Sequence, residues 1–213
     1  MTVADIASRL DEPMELLTSG GRTAVLRHQS LRACLDWSYA LLGDSERRLL
    51  RRLSIFAGGF TSEAAVSVCA TEDVPAARIP ALLERLVAQS LVQAWQQDGK
   101  IRFGLFSAVR SHAFSLLAEA GEESSVRDPH LQWCLSLTDR GVSEPLGSDQ
   151  MSRLRCEEGN LRAALQWTLK TSRSDEGMRL AILLGRVWVL TGCSPDGTLT
   201  GAAASDMQGH TSP

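Results

Sequence analysis

Between Arg27 and Leu53 apolar residues recur at helical spacing in two registers separated by Gly43. In the first, Leu31, Cys34, Leu35, Ser38 and Leu42 share a face, and Ser30 stands where an N-cap would. In the second, Leu49, Leu50, Leu53 and Phe56 lie opposite Arg47, Arg48, Arg51 and Arg52, with Asp44 and Ser45 as candidate caps. The pattern stops at Gly58-Gly59. Thr61 then caps a short helix predicted for Ser62 to Cys69. Turn formers fill Glu72 to Pro80. An amphipathic helix follows from Ala81 to Ser90, with Leu82, Leu83, Leu86 and Val87 inward and Glu84, Arg85 and Gln89 outward.

The period then changes from helical to alternating. Ile101, Phe103 and Leu105 alternate with Arg102 and Gly104, and Asp98-Gly99 joins them to Leu91–Trp95 as a hairpin turn. Short helices feeding a two-stranded hairpin are the ground plan of a winged helix, placed at about 27–120. A helix from Ser107 to about Ala120 closes it. The polar run 121–128, GEESSVRD, reads as a linker. Beyond it, His130–Thr138, Ser152–Lys170 and Met178–Leu190 are predicted helical, and 129–192 forms an α-hairpin region. Residues 193–213 hold only Leu199 and Met207 as large aliphatics and are expected to be disordered. The fold class is therefore mainly α, with one β-hairpin.

The wording of several stretches is familiar. LDWSYALL, ERRLLRRLSIFAGGFTSEAA, LVAQSLV, RFGLFSAVRSHA and SRLRCEEGNLRAALQWTLK occur in this order. Together they resemble the winged helix, and the start of the TPR-like repeats, that follow the nucleotide-binding core in NB-ARC-like STAND ATPases of the AfsR type. The resemblance runs from about Ile6 to about Gly192. It implies that residues 1–26 are the end of the ATPase core and that the ATPase core or another protein is the partner. It also implies that the natural continuation is further helical repeats, so the reading frame is read as truncated. In NB-ARC proteins a Met-His-Asp motif follows the wing, and its His reaches the nucleotide's phosphate. Phe106 and Ser107 occupy the His and Asp positions here, so the resemblance does not extend to nucleotide sensing through this motif; Arg110 matches the family's recurrent Arg.

Composition narrows the picture. A formal charge of -3 over 213 residues gives no global pull toward nucleic acid or an anionic membrane. No apolar run approaches the ~20 residues of a membrane helix, and the first residues lack the apolar core of a secretion signal. Cys34, Cys69, Cys134, Cys156 and Cys193 are scattered without a C-x-x-C pair, and Cys34 and Cys69 read as small buried hydrophobes. These features place the chain in the cytoplasm.

Candidate chemistry is sparse. No G-x-x-x-x-G-K-[ST] run is present, and Gly20-Gly21 reads as a plain loop. Phosphoryl transfer has no positioned apparatus, so the chain is expected not to be an enzyme. No catalytic, cofactor or metal residues are assigned: His28, His112, His130 and His210 are far apart in sequence and lack ligand-spaced partners. Glu157 and Glu158 read as surface ion-pair partners of Arg153, Arg155 and Arg162. The five tryptophans, Trp37, Trp167 and Trp188 among them, read as packing residues. The four-arginine face has two readings, a site for phosphate or an acidic partner and a solvated helix face. As a DNA reader the helix before the wing offers only Arg85, and the wing offers Lys100 and Arg102, against the ~6–10 phosphate contacts of ordinary anchoring. The expected function is thus a non-catalytic regulatory fragment of a STAND-type transcriptional regulator that works by packing; the alternative is an autonomous winged-helix DNA binder. With its partners absent, Leu183, Leu184, Val187 and Trp188 are expected to form an exposed apolar patch that loosens the region or drives self-association.

Overall fold

The computed structural model describes residues 21–139 and 148–191. They form nine α-helices and one antiparallel hairpin: α1 (Gly21–Ala40), α2 (Asp44–Leu53), α3 (Ser62–Cys69), α4 (Ile79–Ala88), β1 (Gln93–Gln97), β2 (Lys100–Gly104), α5 (Ser107–Glu119), α6 (Glu123–Asp139), α7 (Ser148–Cys156), α8 (Glu158–Lys170) and α9 (Ser174–Thr191). The chain divides into two compact units, 1–134 and 135–213.

In the first unit α2 through the hairpin follow the predicted order. Leu49, Leu50 and Leu53 of α2 pack with Phe56, Phe60, Val68, Ile79, Leu83, Leu86 and Leu117 in one core. Thr61 caps α3 by accepting the Ala64 N–H at 3.2 Å. Leu82, Leu83 and Leu86 face inward and Glu84, Arg85 and Gln89 outward. Asp98 and Gly99 both take positive φ, 50° and 73°, the geometry a two-residue turn needs to match strand twist. The pairing Gln97↔Lys100 closes that turn. A further bridge, Phe60↔Phe103, carries hydrogen bonds of 2.8 and 2.7 Å and ties the hairpin to the segment before α3.

Several expectations are corrected. Helix α1 begins at Gly21, so Ser30 lies inside it, and residues 21–26 and the Gly21 half of the Gly-Gly loop are helical. Gly43 is the N-cap of α2, and Glu46, three residues on, accepts the Gly43 N–H at 2.7 Å, because a carboxylate one turn into the helix reaches back to an orphan donor. Residues 123–128 of the expected linker are the first turns of α6, which continues through Pro129. Gly121, at φ 68°, makes the actual break. Trp37 is 66% exposed and Cys34 is exposed, since the inward stripe of α1 runs through Leu31, Leu35, Tyr39 and Leu42. Residues 1–20, including Gly20, residue 192 and the expected disordered stretch 193–213, with Cys193 and His210, lie outside the described residues.

The second unit also departs from expectation. Ser152–Lys170 is two helices, broken at Glu157. Glu157 is buried, not on the surface, and accepts from the buried Asn160 side chain at 2.6 Å. Glu158 does pair with Arg162, at 2.9 Å, and also accepts the Trp188 indole N–H at 2.9 Å. Leu183, Leu184 and Val187 are fully buried with Leu161, Ala164 and Leu180, and Trp188 is half-buried beneath Arg162. The expected apolar patch is therefore the inside of the helix pair. Met178, Ile182 and Val189, on the other face of α9, are exposed large apolar residues.

Candidate nucleic-acid interface

A winged helix reads DNA with the helix before the hairpin and anchors itself with basic side chains around it. Here α4 presents Pro80, Ala81, Glu84, Arg85 and Ala88 to solvent. Arg85 is its one basic residue, and its Nε lies 2.9 Å from Glu46 Oε1, an ion pair without hydrogen-bond alignment. Glu46 is buried, with one oxygen on the Gly43 N–H at the start of α2 and the other against the Arg85 guanidinium.

The arginine face of α2 is occupied from within. Arg47 donates to the last carbonyls of α1, Tyr39 O at 3.2 Å and Ala40 O at 2.6 Å, and so caps that helix. Arg48 pairs with Asp73. Arg51 donates to Glu122 Oε1 at 2.7 Å and to the Tyr39 hydroxyl at 3.0 Å; Arg52, buried, lies 3.6 Å from Glu122 Oε2. Burial works against the Arg51 charge, but the Tyr39 hydroxyl and the Glu122 carboxylate outweigh it and raise its pKa. The face is paired within the chain: Glu122 follows Gly121, and Asp73 sits in the loop before α4. Sequence reading missed both because neither has a periodicity that ties it to α2.

The wing is inverted relative to its alternation. Ile101 is 63% exposed, whereas Arg102 is 5% exposed and donates to Gly58 O at 3.3 Å. Arg102 is thus unavailable to a phosphate. Lys100, at the wing turn, and Arg78, directly before α4, are exposed.

At the base of the wing lies an open cleft of about 250 Å³, walled by Trp95, Gln93 and Leu105 with Ser107 and Arg110 at its edge. The indole of Trp95 lies against Gly59 and Gly104; at Gly59, with φ 79°, a Cβ would come within 2.8 Å of the ring and 2.9 Å of Phe103 O. Phe106 is the N-cap residue of α5, makes no side-chain capping bond, and is 53% exposed. An aromatic hydrocarbon there supplies no ring nitrogen for a phosphate.

The remaining candidates are scattered. His112 is buried, its Nε2 3.4 Å from Asp36, and burial lowers its pKa. His130 is buried against Phe56 and Trp133, and His28 lies in α1. Burial pushes the Cys69 thiol up to about 12, with Arg52 opposing. Among the described residues no group of three His, Cys, Asp or Glu could hold a metal ion, and no helix is long and apolar enough to cross a membrane.

Comparison with known proteins agrees with this geometry. Residues 42–118 match the family model of a winged helix-turn-helix domain. The chain is 36% identical over 191 residues to provisionally named HTH-type transcriptional regulators of Mycobacterium tuberculosis and Mycobacterium bovis, covering 88% of this chain and 21% of each relative. An uncharacterized protein of Mycobacterium tuberculosis is 33% identical over 127 residues, 59% of this chain and 32% of that protein. The chain thus spans about a fifth of the length of the first of these relatives. No solved structure is significantly similar to it.

Proposed function

We propose that this chain is a non-catalytic regulatory segment, the winged-helix switch and first TPR-like repeat of a STAND-type transcriptional regulator, and that it works by packing against an ATPase core or another protein. One observation carries the reading: the arginines that a DNA-anchoring face would use are held by the domain itself, Arg47 by the end of α1, Arg48 by Asp73, Arg51 and Arg52 by Glu122, and Arg102 by Gly58 O. Arg78, Arg85 and Lys100, with Glu84 among them, are too few to neutralise the phosphates of an ordinary site. The ordered resemblance to NB-ARC-like regulators supplies the rest. The second reading, an autonomous DNA binder, is favoured by the winged helix-turn-helix match and by the relatives' names.

Fluorescence anisotropy of a mixed-sequence duplex distinguishes the two. The packing reading expects no binding tighter than the non-specific ~10⁻⁴–10⁻⁶ M range, and a shallow salt slope. Tight binding that weakens by ~10³-fold or more between roughly 50 and 200 mM salt would establish the DNA binder instead.

A further inference from the structure

The cleft at the base of the wing is shaped by the backbone and left without internal partners. Gly59 and Gly104 line it, and neither has room for a side chain, because an added Cβ would meet the Trp95 ring at 2.8 and 3.0 Å. Their neighbours Phe60 and Phe103 are tied by the two bridge hydrogen bonds, which hold these walls in place. The Trp95 indole N–H is already used, donating to Gln97 Oε1 at 3.3 Å. The polar side chains of the lining are then Gln93, Ser107 and Arg110. Among the described residues none of the three makes a side-chain hydrogen bond or ion pair within the chain.

Arg110 differs from the other arginines of the first unit that are withdrawn from solvent. Arg47, Arg51, Arg52, Arg102 and Arg127 each have a carboxylate or a carbonyl as partner. Arg110 is half-buried with neither, and among the described residues no acid lines the cleft. A guanidinium partly removed from water regains what it has lost from a ligand that brings a counter-charge. We infer that the cleft binds a small aromatic carboxylate, its anion on Arg110 and its ring beside Trp95 and Leu105. The guanidinium fork matches the two oxygens of a carboxylate, and Gln93 and Ser107 supply further donors. One positive charge matches a monoanion, whereas a phosphate monoester carries about -1.5 to -2 and would stay partly unneutralised. The volume of about 250 Å³ falls below the ~300–1,000 Å³ of sites for drug-sized ligands, so it suits a single ring and not a nucleotide. Such a site is independent of whether the segment packs on an ATPase core.

The probe is para-fluorobenzoate titrated with the full chain, its fluorine NMR line width reporting the bound fraction. Saturable broadening is expected, with a Kd on the order of 1 mM for so small a ligand. Arg110→Gln should weaken binding at least about tenfold, and Arg110→Lys, which keeps the charge but loses the fork, by less. The uncharged para-fluorobenzamide should bind the unaltered chain as weakly as the acid binds the Gln variant. Because Arg110 has no partner among the described residues, Arg110→Gln should leave the urea unfolding midpoint in place. Broadening that does not saturate by roughly ten times that Kd would overturn the proposal. So would equal binding of the acid by Arg110→Gln, or displacement of the probe by less inorganic phosphate than benzoate, which would make the cleft a phosphate site. A lowered unfolding midpoint in Arg110→Gln would give the guanidinium to the fold and overturn it as well.

Discussion

Helices α2 and α1 lie next to each other in sequence and resolve their surfaces in opposite ways. On α2 the sequence presents a dense row of arginines that looks free, and the fold closes it with Glu122, Asp73 and the carbonyls ending α1. On α1 the sequence presents Trp37 as one more buried aromatic, and the described fold leaves it in solvent. A charged row can be satisfied by single residues from loops, each reaching in with one carboxylate. An apolar stripe needs a continuous second surface, and no loop supplies one.

The contrast is tested first at the core beneath α2. Leu53→Ala removes a fully buried side chain and should cost about 2–5 kcal/mol by denaturant titration, against less than ~0.5 kcal/mol for Leu41→Ala on the exposed face of α1. Equal costs would erase the distinction between the two faces. Gly59→Ala comes next: positive φ and the contact with Trp95 and Phe103 O predict a loss of roughly 1–3 kcal/mol. Glu122→Gln removes the carboxylate shared by Arg51 and Arg52. Because Glu122 is partly exposed, about 1–2 kcal/mol is expected, larger than for Asp73→Asn on the exposed Arg48 pair, where less than ~1 kcal/mol is expected.

The smallest effect concerns pH. Burial lowers the His112 pKa, Asp36 opposes it and Arg32 adds to it. The unfolded chain then binds a proton more readily than the native one. Stability from this residue is complete above the ordinary histidine value of ~6.5 and is lost as the pH falls from there through the lowered native value. His112→Gln should flatten that part of the stability profile. An unchanged profile would show that His112 stays neutral-indifferent in the fold.

Much of the first unit was legible because its signals are local. Thr61 before α3, Leu82, Leu83 and Leu86 on α4, and Asp98-Gly99 at the turn each act within a few residues. What was not legible depends on long-range pairing. Burial of Arg102 contradicts strand alternation because Gly58 O, far away in sequence, accepts its guanidinium. In the second unit the apolar residues of α9 exceed what one face holds, and the pattern alone could not say that Leu183, Leu184 and Val187 turn inward while Met178, Ile182 and Val189 turn outward. The candidate interface was legible in its residues but not in its vacancies: composition shows four arginines on α2, and only the fold shows that they are spent.

The bridge between Phe60 and Phe103 gives the wing mechanical coupling. Two backbone hydrogen bonds, the Phe60–Phe103 ring stack at 6.0 Å and the buried Arg102 fasten β2 to the residues that lead into α3. The hairpin is therefore a lever with its fulcrum at Phe60. Any partner that displaces the Asp98-Gly99 tip must either bend the strands or transmit torque to the start of α3, one turn from the packed core.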